Sequence, residues 1–203
     1  MNRLQNQDWA EWLAIARKAA WGAADILLKA QTSDLDVQDL EDGPVTIADT
    51  AANDHILEIL QAHLDTQDFA YLTEETYKQQ PESDRLTKPY VWIIDPLDGT
   101  KEFIQKTGEF AVHIALVQDH RPILAVVACP AKDKLYYAAK GAGTFVEQRD
   151  GTSSPVHVSH RQQIEKLIVV TSRSHRSDRF NRLMQQFPAK NQISVGSLGG
   201  KIA

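Results

Sequence analysis

The sequence has one cysteine, no basic surplus and no long apolar run. Cys129 alone can neither close an internal disulfide nor supply the several thiolates of a zinc site. The 22 lysines and arginines are outnumbered by 27 aspartates and glutamates, so no nucleic-acid partner is expected. No charged region followed by an apolar stretch comes after Met1, and no apolar run could span a bilayer. We therefore expect a cytoplasmic protein without a transmembrane segment, and its oligomeric state stays open.

What is present is typical of a globular protein: of 203 residues, 42% are apolar and 24% charged. The first sixty residues predict two helices, the first over residues 6–30 with Asp8 and Glu11 as a capping pair. Apolar residues recur along it at helical spacing: Trp9, Leu13, Ala16, Ala20, Ala23 and Leu27. An acidic loop or short edge ribbon ends at Gly43-Pro44, and a second helix begins near Thr46. Its stripe consists of Ile56, Ile59, Leu60 and His63.

Beyond the second helix the hydrophobic period becomes that of short strands. We predict strands over residues 69–72, 90–95, 110–118, 123–129, 135–139 and 144–147. The four strands from residue 110 onward form a meander, which implies an antiparallel sheet with the two helices available to cover one face. After a polar loop at 148–155, a β-α-β pattern follows over 167–195. The expectation is an α+β domain at residues 1–154 and the start of a second, α/β domain at residues 155–203, in a chain that is a fragment.

The most informative stretch delivers two carboxylates across a turn. A buried strand ends at Asp95, and Asp98 follows three residues later, so both carboxylates can converge on one point. Two negative charges held this close need a counter-charge, because they otherwise raise each other's pKa. A hard divalent cation supplies one, and an all-oxygen ligand set favours Mg²⁺ over zinc or copper. The carbonyl of Leu97 could be a further ligand.

The same turn can approach a phosphate. Gly99 permits a tight backbone near a ligand, and a short helix that starts after Thr100 would direct its free N–H groups to the same point. Taken alone, an ordinary Asp-Pro turn followed by a helix cap explains the stretch about equally well.

Two more acidic elements favour the metal interpretation. Glu74 and Glu75 follow a predicted strand and could supply a bridging metal ligand and a water activator, although such a pair is more often a solvated loop. Asp49 opens the second helix, where a capping box with Thr46 is the default interpretation. Together the three pieces suit metal-assisted hydrolysis of a phosphate ester.

In this order, the segments Gly43–Asp49, Leu72–Glu75 and Trp92–Phe103 resemble the motifs of the inositol monophosphatase superfamily. The ending Lys101-Glu102-Phe103 is similar to its CysQ-like 3′(2′),5′-bisphosphate nucleotidase branch, and so is Thr171–His175. The resemblance implies a layered αβαβα sugar-phosphatase fold with two or three Mg²⁺ ions.

The resemblance also implies roles for individual residues. It implies three carboxylate ligands and one carbonyl ligand of the metal: Glu74, Asp95, Asp98 and Leu97. Thr100 together with Glu74 would orient and activate the attacking water, and Asp49 would support a further, weaker metal.

For the substrate, the resemblance implies contacts of Gly99 and Thr100 with the phosphate to be cleaved. His175, Ser197 and Lys201 match positions that contact the nucleotide in this branch. For His175, a solvated imidazole at a strand end is an equally good interpretation.

The expected function is therefore Mg²⁺-dependent hydrolysis of 3′-phosphoadenosine 5′-phosphate to AMP and phosphate, with a small nucleotide as the partner. An inositol or sugar monophosphatase is the nearest alternative. A catalytically impaired metal- or nucleotide-binding fragment is another, because family members carry one more metal-binding aspartate beyond the position of Ala203.

Overall fold

The computed structural model describes seven stretches of the chain: residues 3–32, 37–40, 43–64, 67–77, 87–173, 177–187 and 191–202. Two short strands, β1 (Val37–Leu40) and β2 (Gly43–Thr46), pair antiparallel as the short ribbon that the acidic stretch predicts. None of the helices in these stretches combines the length and apolar character that crossing a membrane requires.

Two long helices precede the main sheet: α1 (Arg3–Ala30) and α2 (Ile47–His63). The predicted stripe of α1 is confirmed, since its alanines and Leu27 are fully buried. Small side chains on a helix let a neighbouring helix approach closely. A Cβ on Gly22 would lie 2.0 Å from Nε2 of His55, so α2 rests against the backbone of α1.

The main sheet is formed by seven strands that follow one another in sequence and in space. They are β3 (Phe69–Thr73), β4 (Tyr90–Asp98), β5 (Ala111–Gln118), β6 (Arg121–Cys129), β7 (Lys134–Ala139), β8 (Gly143–Gln148) and β9 (Ser153–Val156). From β4 to β9 every pair is antiparallel, which confirms the prediction for the strands β5 to β8, whereas β3 pairs parallel with β4. The short helix α3 (Thr100–Ile104) connects β4 to β5, and two 3₁₀ turns cover Pro130–Lys132 and Ile164–Lys166.

Another two-stranded sheet follows the main sheet in the chain. Strands β10 (Ile168–Ser172) and β11 (Asn191–Val195) pair in parallel, and α4 (Asp178–Gln186) lies between them in the chain. Ser177 caps α4, because its hydroxyl accepts the N–H of Phe180 at 3.2 Å. A loop then leads into the short helix α5 (Gly199–Ile202). The predicted β-α-β pattern is thus confirmed over the described residues.

The main sheet has helices against one face and the α5 segment against the other. Val112, Ile114 and Leu116 of β5 are buried together with the stripes of α1 and α2. Successive side chains of a strand alternate between faces, so Ala111 and His113 belong to the opposite face. There a Cβ on Gly199 would lie 2.6 Å from Cβ of Ala111, which shows how closely α5 packs on the sheet.

Three local predictions are wrong. The first helix begins at Arg3, upstream of the predicted cap at Asp8, because residues 3–7 are mostly good helix formers and continue it. His63 is exposed and its Nδ1 lies 2.8 Å from the Ile59 carbonyl, so it is outside the buried stripe. The predicted polar loop contains the strand β9, which tolerates Pro155 because it lies at the edge of the sheet.

Candidate active site

The turn at the end of β4 is shaped by its own carboxylate. Oδ1 of Asp95 accepts the backbone N–H of Leu97 at 3.1 Å, and the pairing register with β5 shifts between Asp95 and Asp98. Such an irregularity redirects side chains at the end of a strand. The Leu97 side chain is buried, with 2% of its surface exposed, which anchors the turn in the core.

Gly99 is required at this turn by both conformation and space. Its φ of 91° lies in the left-handed region, which disfavours residues that carry a Cβ. A Cβ there would lie 3.0 Å from the Glu109 carbonyl oxygen and 3.0 Å from Cβ of Ser197. Helix α3 starts at the next residue, as predicted, and Thr100 Oγ1 lies 3.4 Å from the Leu97 carbonyl oxygen, to which it donates.

Parallel pairing of β3 with β4 brings Glu74 to the same edge of the sheet. The backbone N–H of Glu74 donates to the Ile94 carbonyl at 3.2 Å, directly beside Asp95. The following turn is closed by the hydroxyls of Thr73 and Thr76, which lie 2.8 Å apart. The predicted convergence of the two acidic segments is therefore present in the backbone, with the Glu74 side chain exposed.

Asp49 lies in the first turn of α2 with only 4% of its surface exposed. Burial and the nearby carboxylates of Glu75, Glu74 and Asp95 raise its pKa to about 8. A carboxylate that only capped the helix would gain from the helix dipole and would not be held among three others. Its surroundings are thus those of an acidic cluster.

Asp95 is in the same situation. Burial is the largest cause that raises its pKa to about 7, followed by Glu74; Asp98 adds to the rise and His113 opposes it. Burial and Glu74 also raise the pKa of Glu75. We call Asp49, Glu74, Glu75 and Asp95 the acidic cluster. The carboxylates of this cluster repel one another, and a nearby positive charge would relieve that repulsion.

Asp98 differs from the acidic cluster because it has partners. Burial alone would raise its pKa, but the neighbouring His113, the hydrogen bond from the Gly199 N–H and the charge of Lys201 lower it overall. Oδ2 of Asp98 accepts the Gly199 N–H at 2.6 Å and lies 3.4 Å from Nε2 of His113. The predicted ligand Asp98 is therefore bound by a segment about a hundred residues away in sequence.

These residues fit a hard divalent cation by their chemistry. The donors are all oxygens, and the raised pKa values of Asp49 and Asp95 show a charge deficit that a cation would relieve. Among the described residues, no three His, Cys, Asp or Glu side chains are already arranged to hold an ion. One oxygen of Asp95 and one of Asp98 are engaged by backbone N–H groups, which leaves the other oxygen of each for a ligand.

Of the predicted nucleotide contacts, Ser197 and Lys201 lie beside the turn, and His175 lies outside the described residues. Ser197 is buried, and its hydroxyl accepts the Gly200 N–H at 2.9 Å. Nζ of Lys201 donates to the carbonyls of Gly196 and Ser197 at 3.1 and 2.8 Å.

Sequence reasoning missed three residues that surround the turn. His113 faces Asp95 across the β4–β5 pair, a register that the chain order of the two strands could have suggested. Glu109 binds the Gly196 N–H at 2.8 Å and Arg173 at 2.5 Å, and nothing in the local sequence pattern indicates either contact.

The raised pKa values predict a loss of stability with rising pH in the absence of metal. Asp49 and Asp95 have pKa values of about 8 and 7 in the folded protein, against 3.8 for an ordinary aspartate. The folded state therefore holds protons that the unfolded state releases, and the free energy of unfolding falls between about pH 4 and 8.

The measurement is the free energy of unfolding at pH 5.5 and 8.5, with and without Mg²⁺. Asp49→Asn and Asp95→Asn should each remove at least about 1 kcal/mol of the metal-free loss, since one pKa unit corresponds to about 1.4 kcal/mol. Mg²⁺ should flatten the pH dependence of the unaltered protein most and that of Asp95→Asn least. Equal pH dependence in all three proteins would contradict the acidic cluster.

Comparison with known proteins agrees with this geometry. Residues 8–203 match the sequence profile described as the inositol monophosphatase family. The 3′(2′),5′-bisphosphate nucleotidase CysQ of Salmonella typhimurium is 38% identical over 159 residues, which are 77% of this chain and 60% of that protein. The CysQ of Escherichia coli O157:H7 is 34% identical over 185 residues, 90% of this chain and 70% of that protein.

Solved structures show the same fold. The CysQ from Bacteroides thetaiotaomicron, a bacterial member of the inositol monophosphatase family, superposes with a TM-score of 0.72 at 29% identity, over 91% of this chain and 72% of that one. The extragenic suppressor protein suhB from Bartonella henselae gives a TM-score of 0.75 at 25% identity, over 91% and 70%. The chain thus spans 60 to 70% of the length of these two curated relatives. With its layered α+β fold and its family match over almost the whole chain, this protein belongs to the inositol monophosphatase family.

Proposed function

We propose that this protein is a Mg²⁺-dependent phosphatase that hydrolyses 3′-phosphoadenosine 5′-phosphate to AMP and phosphate. The observation that carries the proposal is the acidic cluster beside the Gly99 turn, with Lys201 next to it. The curated relatives named 3′(2′),5′-bisphosphate nucleotidase support the substrate class. The ending Lys101-Glu102-Phe103 favours a nucleotide over inositol 1-phosphate as the substrate. The excess of acidic over basic residues argues against a nucleic-acid partner.

In this proposal Mg²⁺ would be held by three carboxylates and one carbonyl: Glu74, Asp95, Asp98 and the Leu97 carbonyl. Asp49 would support a further, weaker ion. Bound Mg²⁺ would lower the pKa of a water and offset the negative charge that develops on the phosphate oxygens. Two or three ions are in keeping with the number of carboxylates. The carboxylates of Asp95 and Asp98 are held in position by the protein, because one oxygen of each accepts a hydrogen bond from a backbone N–H.

Thr100 and Glu74 orient the attacking water. The Thr100 hydroxyl donates its proton to the Leu97 carbonyl, so the lone pairs of Oγ1 are left to accept a proton from water. The Glu74 carboxylate, exposed at the edge of the cluster, takes up the proton that the water loses on attack. The new bond joins the water oxygen to phosphorus while the bond from phosphorus to the 3′ oxygen breaks. The 3′ oxygen leaves with that electron pair and takes up a proton from solvent, which gives the 3′-hydroxyl of AMP.

Gly99 and the start of α3 would receive the phosphate to be cleaved, since the backbone there lacks a Cβ and offers N–H groups. Ser197, Lys201 and His175 would contact the rest of the nucleotide. We further propose a domain boundary near residue 154, with the site at the junction of residues 1–154 and 155–203. In the described part of the chain, β10 and β11 pair only with each other, which supports that boundary.

The test is a comparison of kcat/KM for 3′-phosphoadenosine 5′-phosphate and inositol 1-phosphate at several Mg²⁺ concentrations. We expect the nucleotide to be preferred at least about tenfold, since one charge-assisted contact to the 5′-phosphate accounts for that much. Turnover should require Mg²⁺ and stop with excess chelator. Equal kcat/KM values would favour the monophosphatase, and absence of turnover with both would favour a binding protein.

A further inference from the structure

A carboxylate outside the acidic cluster connects the Gly99 turn to the segment that contains Ser197 and Lys201. Glu109 directly precedes β5, and its carbonyl oxygen is the atom that a Cβ on Gly99 would meet at 3.0 Å. Its side chain reaches the other sheet, where Oε2 accepts the Gly196 N–H at 2.8 Å. One residue thus contacts the phosphate turn by its backbone and the segment 196–201 by its side chain.

The other oxygen of this carboxylate binds Arg173. Oε1 of Glu109 lies 2.5 Å from Nη2 of Arg173, at the end of β10. Arg173 in turn donates to the ends of β11, by Nη2 to the Ser194 carbonyl at 3.4 Å and by its N–H to the Val195 carbonyl at 3.2 Å. Through its two carboxylate oxygens, Glu109 therefore binds the residues at which β10 and β11 end.

Gly196 is fixed from both sides. Its N–H is bound by Glu109, and its carbonyl accepts Nζ of Lys201. A Cβ on Gly196 would lie 2.2 Å from Cδ of the buried Glu102, so this residue cannot move toward α3. The position of the Lys201 ammonium consequently depends on where Glu109 holds Gly196.

We propose that Glu109 is a positioning residue that places Ser197 and Lys201 for the nucleotide and so sets the preference for a bisphosphate. The inference rests on the proposed function. In the described part of the chain, the Glu109 side chain is bonded to Gly196 and Arg173, and neither belongs to the acidic cluster or to the predicted metal ligands. Its loss should therefore act on the part of the ligand beyond the phosphate that is cleaved.

The experiment compares kcat/KM for 3′-phosphoadenosine 5′-phosphate with that for 3′-AMP, which lacks the 5′-phosphate. Glu109→Ala should lower the ratio of the two about tenfold, mainly through the KM of the bisphosphate, because a displaced charge-assisted contact is worth at least that much. Hydrolysis of 3′-AMP should change little. Hydrogen exchange at the Gly196 and Gly199 amides should become faster.

Two variants keep the test independent of folding. Arg173→Met removes the exposed partner of Glu109 but keeps the Gly196 hydrogen bond, so its effect should have the same sign and be smaller. Asp25→Ala is the matched control, because it breaks another carboxylate–arginine pair that is remote from the Gly99 turn. In that pair Oδ1 of Asp25 lies 2.7 Å from Nη2 of Arg149. It should leave the ratio unchanged.

The outcomes separate the two proposals. An unaltered protein that lacks a preference for the bisphosphate overturns the proposed function, and the positioning role falls with it. A protein that shows the preference and keeps it in Glu109→Ala overturns the positioning role alone. An equal loss for both substrates also overturns it, because the residue would then be merely structural.

Discussion

Asp95→Asn should lower Mg²⁺-dependent turnover at least about 100-fold while the fold survives. Loss of residues that only support a metal ligand costs about 10- to 100-fold in affinity or activity, so loss of a ligand should cost no less. The amide can still accept the Leu97 N–H through its oxygen, as Oδ1 of Asp95 does at 3.1 Å. The neutral amide also removes the repulsion from neighbouring carboxylates, which helps to raise the pKa of Asp95 to about 7.

This combination distinguishes a metal ligand from a structural aspartate. The unaltered protein should gain thermal stability when Mg²⁺ is added, because a ligand that binds only the folded state stabilises it. Asp95→Asn should be at least as stable as the unaltered protein without Mg²⁺ at pH 8 and should gain little from the ion. Asp68→Asn, at an exposed position directly before β3, serves as the control and should behave as the unaltered protein does. A variant that keeps both its activity and its Mg²⁺ response would remove Asp95 from the metal site.

The parts of the site that depend on local chain geometry could be predicted from the sequence. A strand that leads into Asp95, a glycine that must turn and a short helix that begins at Thr100 are all set by neighbours in the chain, although the strand runs three residues further than predicted, to Asp98. The buried stripe of α1 is local in the same sense, since helical spacing alone determines which side chains share a face. These predictions needed no knowledge of how the chain folds back on itself.

What could not be predicted depends on contacts between distant segments. The parallel pairing of β3 with β4 places Glu74 beside Asp95, and alternation of apolar residues does not reveal the direction of a pair. Gly199 binds Asp98 from a segment about a hundred residues away, and Glu109 binds Gly196 over a similar separation. The two glycines resemble ordinary loop residues in the sequence; only the packing shows that neither has room for a Cβ.

The second large effect should fall on substrate choice. In the proposed function Asp95 and Asp98 would serve whichever phosphate is cleaved, so they could not distinguish a bisphosphate nucleotide from 3′-AMP or inositol 1-phosphate. Lys201 can, because its ammonium has three protons and the carbonyls of Gly196 and Ser197 occupy two of them. In the proposed function the third would pair with a 5′-phosphate.

Lys201→Ala should therefore lower kcat/KM for 3′-phosphoadenosine 5′-phosphate about 10- to 100-fold more than that for 3′-AMP. A charge-assisted contact is worth about 1.5–3 kcal/mol, which corresponds to this range. Some loss common to both substrates is also expected, since Lys201 helps to lower the pKa of Asp98. The ratio of the two values cancels that common part and isolates the contribution of the 5′-phosphate.

Two further lysine variants decide what the ratio means. Lys201→Arg keeps the positive charge and should retain most of the preference, although its planar guanidinium fits the two carbonyls less well. Lys101→Ala removes an exposed charge from α3, close to the same turn, and so tests whether any nearby positive charge would suffice. If Lys101→Ala lowers the ratio as much as Lys201→Ala does, the preference comes from the general field around the turn. If only Lys201→Ala lowers it, the 5′-phosphate is bound by the ammonium that Gly196 and Ser197 hold in place.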